Sequence, residues 1–225
     1  MKKKESILSF VKRYKHAWVF LYFFIYMPWF IKLEQRPATI KHYLIHSPLD
    51  NYIPFVEYFI IPYLLWFAFV AVMLLYFFFK DKKEFYQLII FLFTGMTIFL
   101  IISTIFPNGL NLRPTTFARD NVFVDMVKRL YKTDTPTNVL PSIHVFNTLG
   151  IAIAVKRSKH LKKHKVTKAI IYLLSTLIIL ATMFLKQHSV TDVVAAFALG
   201  GILYYLVYVM QTHKEAKLLN TSVNN

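Results

Sequence analysis

Residues Ile53–Phe79 read IPFVEYFIIPYLLWFAFVAVMLLYFFF, a run whose only charged side chain, Glu57, lies near its start. A helix of ~20 apolar residues spans the ~30 Å of bilayer hydrocarbon. This run is longer than that, and it lacks the polar stripe that a surface helix of a soluble domain keeps toward water. Working outward, five more apolar stretches follow the same logic: Ala17–Leu33, Phe85–Phe106, Ser142–Val155, Val166–Lys186 and Ser189–Met210. The whole chain agrees. It is 56% hydrophobic and 17% charged, with 22 Phe and 14 Tyr in 225 residues, whereas soluble domains carry ~25% charged residues. The predicted fold class is all-α, a polytopic membrane bundle of six transmembrane helices with an extracytoplasmic amphipathic helix. One membrane-embedded domain covers 1–225, flanked inside it by a basic N-terminus (1–16) and a tail (211–225).

The formal net charge of +16 excludes little by itself. Basic nucleic-acid modules are soluble, with their cations on one face, whereas these cations punctuate apolar blocks. Nucleic acid is therefore not an expected partner, and membrane lipids are. Absence of Cys excludes disulfides, thiolate catalysis and cysteine-based metal sites. The N-terminus starts like a signal peptide, but no small-residue cleavage site follows Met27-Pro28-Trp29, so it reads as a retained first span. Eighteen cations fall on the connections at one side, including Lys80, Lys82 and Lys83, and Lys156 to Lys168. Nine fall on the other side. The positive-inside rule then places both termini in the cytoplasm, with the plasma membrane as the expected location.

The fourth stretch is short. At ~1.5 Å per residue it covers only ~21 Å, so its start is expected to lie below the membrane surface. The connections on that outer side are Glu34–Tyr52, an irregular loop by its Pro37 and Pro48, the long Pro107–Pro141, and a turn at Lys186–Asp192. Within the long one, Asp120 is a candidate N-cap for an amphipathic helix through Tyr131, with Val122, Met126, Val127 and Leu130 on one side.

Polar groups stranded beside spans are costly and tend to be functional. Three fall on this side: Arg113-Pro114, Pro141-Ser142-Ile143-His144, and Lys186-Gln187-His188-Ser189-Val190-Thr191-Asp192. His188 and Asp192 are spaced to share a helix face. A carboxylate on one imidazole nitrogen fixes the tautomer and frees the other nitrogen to attack. An interfacial histidine beside a dipole-stabilised Asp is the plainer reading. Ser142 is an ordinary cap, but a helix N-terminus also leaves amides for an anion, and His144 stands there to protonate a leaving oxygen. Arg113 and Lys186 are either surface anchors or phosphate ligands, the Arg fork matching two oxygens.

In that order, Arg-Pro, Pro-Ser-x-His and His-x-x-x-Asp across six spans resemble the type 2 phosphatidic acid phosphatase (PAP2) superfamily, by motif over Leu112–Val194. The superfamily includes lipid phosphatases and, more distantly, inositol phosphorylceramide and sphingomyelin synthases. The resemblance implies His188 as the nucleophile forming a phosphohistidine, Asp192 as its orienting partner and His144 as general acid. It also implies Arg113 and Ser142 in the phosphate cradle, and no metal or cofactor. The sequence departs from the family pattern at two cations: Phe106 stands for a Lys and Thr182 for an Arg. Ile143 replaces the Gly of Pro-Ser-Gly-His. Lys186 is a candidate replacement cation. These reduced motifs resemble the phosphotransferase branch.

The expected function is an integral membrane lipid-phosphate phosphatase or phosphotransferase, acting on a phosphorylated lipid at the extracytoplasmic face. Two alternatives stand beside it. A small transporter or flippase would want mid-span ionisable groups and inverted repeats, which the sequence does not display. A non-catalytic family member is suggested by the cations missing at Phe106 and Thr182. Glu57 is expected to pair with Lys186 or Arg113, or to face water. Asp134, Thr135 and Asn138 are expected to shape a turn. Trp18, Trp29 and Trp66 read as interface belts, Gly200-Gly201 as a close helix contact, and His160 and His164 as part of the basic loop.

Overall fold

Asp81 ends one long helix and starts the next. Its backbone is extended, and its carboxylate accepts from the Lys83 and Glu84 amides, so two apolar helices meet with almost no loop. This is the pattern throughout the computed structural model, which describes residues 9, 12–37 and 39–210. The tail 211–225 and most of the segment before Lys12 lie outside the described residues.

The helices are α1 (Phe23–Glu34), α2 (Ile60–Lys80), α3 (Lys82–Ile105), α4 (Val122–Thr133), α5 (Ile143–Arg157), α6 (Lys165–Phe184) and α7 (Val190–Tyr204). A 3₁₀ segment, Lys15–Tyr22, leads into α1, a 3₁₀ turn, Glu57–Phe59, leads into α2, and a π-helix, Tyr205–Val209, continues α7. Among the described residues, five helical stretches are long and apolar enough to cross a membrane: Lys15–Glu34, Glu57–Lys80, Lys82–Ile105, Lys165–Phe184 and Val190–Val209. Five therefore meet the length requirement, where six were expected. The sixth, α5, has 15 residues, or ~22 Å at 1.5 Å per residue. It is packed against α3, α6 and α7, and eight of its residues are buried. A helix so enclosed by protein satisfies its surroundings without reaching across.

The contact between α3 and α5 is an aromatic stack. Phe91 and Phe146 lie 4.9 Å apart at 4°, and a Cβ built on Gly95 would come within 2.1 Å of the Phe146 ring. Gly95 is thus needed for the approach of the two helices. Gly95→Ala is expected to lower stability by about 1–3 kcal/mol, read as a drop in the thermal unfolding midpoint of the purified protein. Of the Gly200-Gly201 pair, only Gly200 makes the expected close contact, against Leu149; Gly201 faces open space.

At one end of the bundle the connections are knitted together. The expected irregular loop contains a short strand, β1 (Tyr43–Leu44), paired in parallel with β2 (Asn108–Gly109), and a 3₁₀ turn, Pro48–Asn51, closed by a Ser47 capping box. Buried Asn108 accepts from the Val139 and Leu140 amides through Oδ1. One side chain thereby joins the start of the long connection to the residues leading into α5.

The amphipathic helix expected in that connection forms as α4. Its cap is Asn121, which accepts from the Phe123 and Val124 amides, not Asp120, one residue earlier. Val124 and Val127 are buried beneath it. Glu57 finds neither of its expected partners. It is buried against Arg119 (2.7 Å) and Asn121 (3.0 Å), which fastens α4 to the start of α2.

Candidate active site

Ser142 and Ser189 start the two helices that matter most. The Ser142 hydroxyl caps α5 through the Val145 amide. Ser189 caps α7 in a box with Asp192, whose Oδ2 accepts from the Ser189 amide at 2.9 Å. The two starts are tied directly, because the Ser142 amide donates to the Asp192 carbonyl at 3.2 Å. The result brings together residues 44 positions apart in sequence. The His144 and His188 rings have centroids 5.7 Å apart, close enough for one phosphoryl group to touch both.

His188 is 7% exposed. Its Nδ1 lies 3.4 Å from Oδ2 of Asp192, which is 0% exposed. That contact is too poorly aligned to count as a hydrogen bond, as often holds for catalytic pairs before ligand binds. The backbone holds the turn firmly: the Gln187 and His188 amides both donate to the Thr182 carbonyl. Thr182, at one of the two positions where the expected cation is missing, thus contributes backbone, and its hydroxyl donates to the Ile179 carbonyl. Phe106, at the other missing cation, stacks on Tyr43.

His144 is held by aromatic faces. Tyr63 lies 4.8 Å away and Trp66 4.2 Å away, centroid to centroid. Trp66 is therefore a wall of the site. The first amides of α5, those of Ile143 and His144, have no acceptor among the described residues. They form the positive end of a helix beside both imidazoles.

Arg113 reaches this neighbourhood but is engaged by protein. It donates to the Tyr131 carbonyl (3.1 Å), the Asp134 carbonyl (2.8 Å) and Gln187 Oε1 (2.5 Å), and stacks over Tyr131. Only its Nε lacks a partner. Burial lowers its pKa, and the Asp134 carboxylate opposes that shift. Lys186, in the left-handed region at φ 55°, donates to the carbonyls of Asp50 (2.8 Å) and Ile53 (2.5 Å). Burial lowers its pKa too, with Asp50 opposing. Its ammonium holds a loop instead of lining the cleft.

Several residues here carry no local sequence signal. Asp134 does more than shape a turn: its Oδ2 accepts from Tyr63 and from Gln187, each at 2.9 Å. Glu34, at the end of α1, accepts from Thr135 (2.5 Å) and Asn138 (2.7 Å). Asp50 is 2% exposed and accepts from the Ser189 hydroxyl (2.6 Å), the Val190 amide (2.8 Å) and the Ser47 amide (2.7 Å). It therefore anchors the turn that presents His188. Asp50→Ala would strand these donors in the interior, at a cost of about 1–3 kcal/mol each for those left unpaired. A lower unfolding midpoint is expected, with Asp50→Asn recovering part of the loss because its amide oxygen still accepts.

The cleft at the histidines is lined by Phe30, Glu34, Asp134, Asn138, His144 and His188, among others. It adjoins a cavity of about 860 Å³ that runs between α1, α2, α3 and α5, lined by Phe20, Met27, Leu64, Phe67, Val70 and further apolar side chains, with Glu34, Asp134 and His144 at its polar end. On the opposite end of α2 and α3, His160 sits 3.4 Å from Asp81.

Compared with known proteins, residues 108–216 match the family model of the PAP2 superfamily, whose members are in general phosphoric ester hydrolases. No curated protein and no solved structure matches the chain.

Proposed function

We propose, from the membership of this chain in the PAP2 superfamily through residues 108–216, that it is an integral membrane phosphatase or phosphotransferase acting on a lipid phosphate through a phosphohistidine. The observation that carries this reading is the 5.7 Å approach of the His144 and His188 rings beside the open amides of α5.

His188 attacks phosphorus through Nε2, while Asp192 on the Nδ1 side stabilises the positive charge that develops on the ring. The N–P bond forms as the ester P–O bond breaks. His144 gives its proton to the departing alkoxide, then takes a proton from the incoming water or lipid hydroxyl as that oxygen attacks phosphorus and the N–P bond breaks. Phosphate oxygens rest on the Ile143 and His144 amides, which Ser142 presents by capping α5. The nearby Arg113 charge, fixed through Gln187, adds to the field at the phosphate.

A lipid substrate is supported by the adjoining apolar cavity. Its volume falls within the ~300–1,000 Å³ range of small-molecule sites, and it reaches His144 from among the helices long enough to span a membrane. The extracytoplasmic placement of the site, with both termini cytoplasmic, rests on the distribution of cations. The test is chemical trapping. Quenching turnover of a labelled phospholipid is expected to leave label on the protein in an acid-labile, base-stable linkage at His188. Turnover with no such adduct, or label on another residue, would sink the phosphohistidine route.

A further inference from the structure

At the end of the bundle opposite the histidine cleft, two connections meet that the proposed reaction does not use. Asp81 joins α2 to α3, Glu84 lies in the first turn of α3, and His160 stands in the connection from α5 to α6. One ligand atom from each, two carboxylate oxygens and an imidazole nitrogen, lie within 4.8 Å of one another. Of the two histidines in the basic loop, His160 alone joins this group.

Hydrogen bonds orient both carboxylates and leave one oxygen of each over. Asp81 Oδ1 accepts from the Lys83 and Glu84 amides at 2.8 and 3.0 Å, while Oδ2 lies 3.4 Å from His160 Nε2. Glu84 Oε1 accepts from the Lys159 amide at 2.8 Å. Its Oε2 is buried from solvent and accepts no hydrogen bond among the described residues. A proton on His160 would answer Asp81 alone, whereas a dication among the three groups would also give the orphaned Glu84 oxygen a partner.

The donor set and its spacing fit such an ion. Zinc takes imidazole nitrogen and carboxylate oxygen at about 2.0–2.2 Å in a tetrahedron, whose edges are then about 3.4 Å. That is the separation of Asp81 Oδ2 and His160 Nε2. Bonds such as those from the three amides hold ligands in place around a metal. Asp81 and Glu84 also line a cavity of about 130 Å³, with room for water at the remaining position. Lys83, Arg157 and Lys159 line it too. Their charge counts against Mg²⁺ or Ca²⁺, which are held by oxygen and charge. The imidazole favours an ion for which nitrogen is a preferred ligand.

We propose that Asp81, Glu84 and His160 form a binding site for a divalent cation of the zinc class, separate from the phosphoryl chemistry. The ion fastens the α5–α6 connection to the joint between α2 and α3. It thereby holds the far end of the helix that carries His144.

The test uses full-length, untagged protein in detergent, stripped with a chelator, with Co²⁺ as a visible probe and Zn²⁺ as its competitor. Co²⁺ is expected to bind with a visible absorption band that Zn²⁺ abolishes, and Zn²⁺ is expected to raise the unfolding midpoint. His160 is exposed and lies outside the helices, so His160→Ala should fold. It should weaken Zn²⁺ binding by about tenfold or more, since loss of even an outer partner of a metal costs about 10–100-fold. Glu84→Gln keeps an acceptor for the Lys159 amide and should weaken binding comparably. His164→Ala should bind like the unaltered protein, and so should His188→Ala, which removes an imidazole from the cleft. Undiminished binding in either His160→Ala or Glu84→Gln would overturn the proposal. So would loss of the Co²⁺ band in His188→Ala, or no saturable binding below about 100 μM Zn²⁺.

Discussion

His188→Ala is expected to lower turnover by at least about 10³-fold, the loss typical when the residue that bonds to substrate is removed. No hydroxyl near the cleft among the described residues is free to take over. The Thr135 hydroxyl donates to Glu34 and shares a hydrogen bond with Thr137, and the Ser142 and Ser189 hydroxyls are committed to helix caps and to Asp50. The substitution should fold, since the ring makes no hydrogen bond that the structure would miss. An unaltered unfolding midpoint alongside lost turnover is therefore the expected pair of results. Turnover that survives in His188→Ala would remove the phosphohistidine route altogether.

His144→Ala should cost less and cost it selectively. Removing a general acid typically loses about 10²–10⁴-fold, and the loss should be concentrated where the leaving group is a poor one. With a lipid alkoxide leaving, the full deficit is expected. With a p-nitrophenolate leaving group, which departs without a proton, the first step should recover most of its rate, and phosphorylated His188 should accumulate because the acceptor is no longer deprotonated. Equal loss on both substrates would mean that His144 contributes packing between Tyr63 and Trp66 instead of proton transfer.

Much of this architecture is written in local pattern. Long apolar runs mark the membrane-type helices because a bilayer leaves no polar face to encode, and observed ends fall within a few residues of the expected ones, as in Lys82–Ile105 against Phe85–Phe106. His144, His188 and Asp192 are legible because capping and i,i+4 spacing act within one turn. What escapes is long-range. Asp50 meets Ser189 across 139 positions, Glu34 meets Asn138 across 104, and no periodicity links them. Lys186 is a plausible phosphate ligand by position, but a left-handed backbone aims its ammonium at the loop carbonyls. The partners of Glu57 are hidden for the same reason: Arg119 and Asn121, instead of Lys186, Arg113 or water, reach it only once α4 has folded over the start of α2.

The bond from the Ser142 amide to the Asp192 carbonyl has a kinetic corollary. The helix starts that carry His144 and His188 are joined through main chain, so the separation of the two rings is set before any ligand arrives. On the proposed roles, the pair needs no closing motion to assemble. A substrate shortened in its hydrocarbon portion should then bind weakly yet, once seated, react at nearly the ordinary speed, placing the slow event in exchange of bulky molecules with the surrounding bilayer.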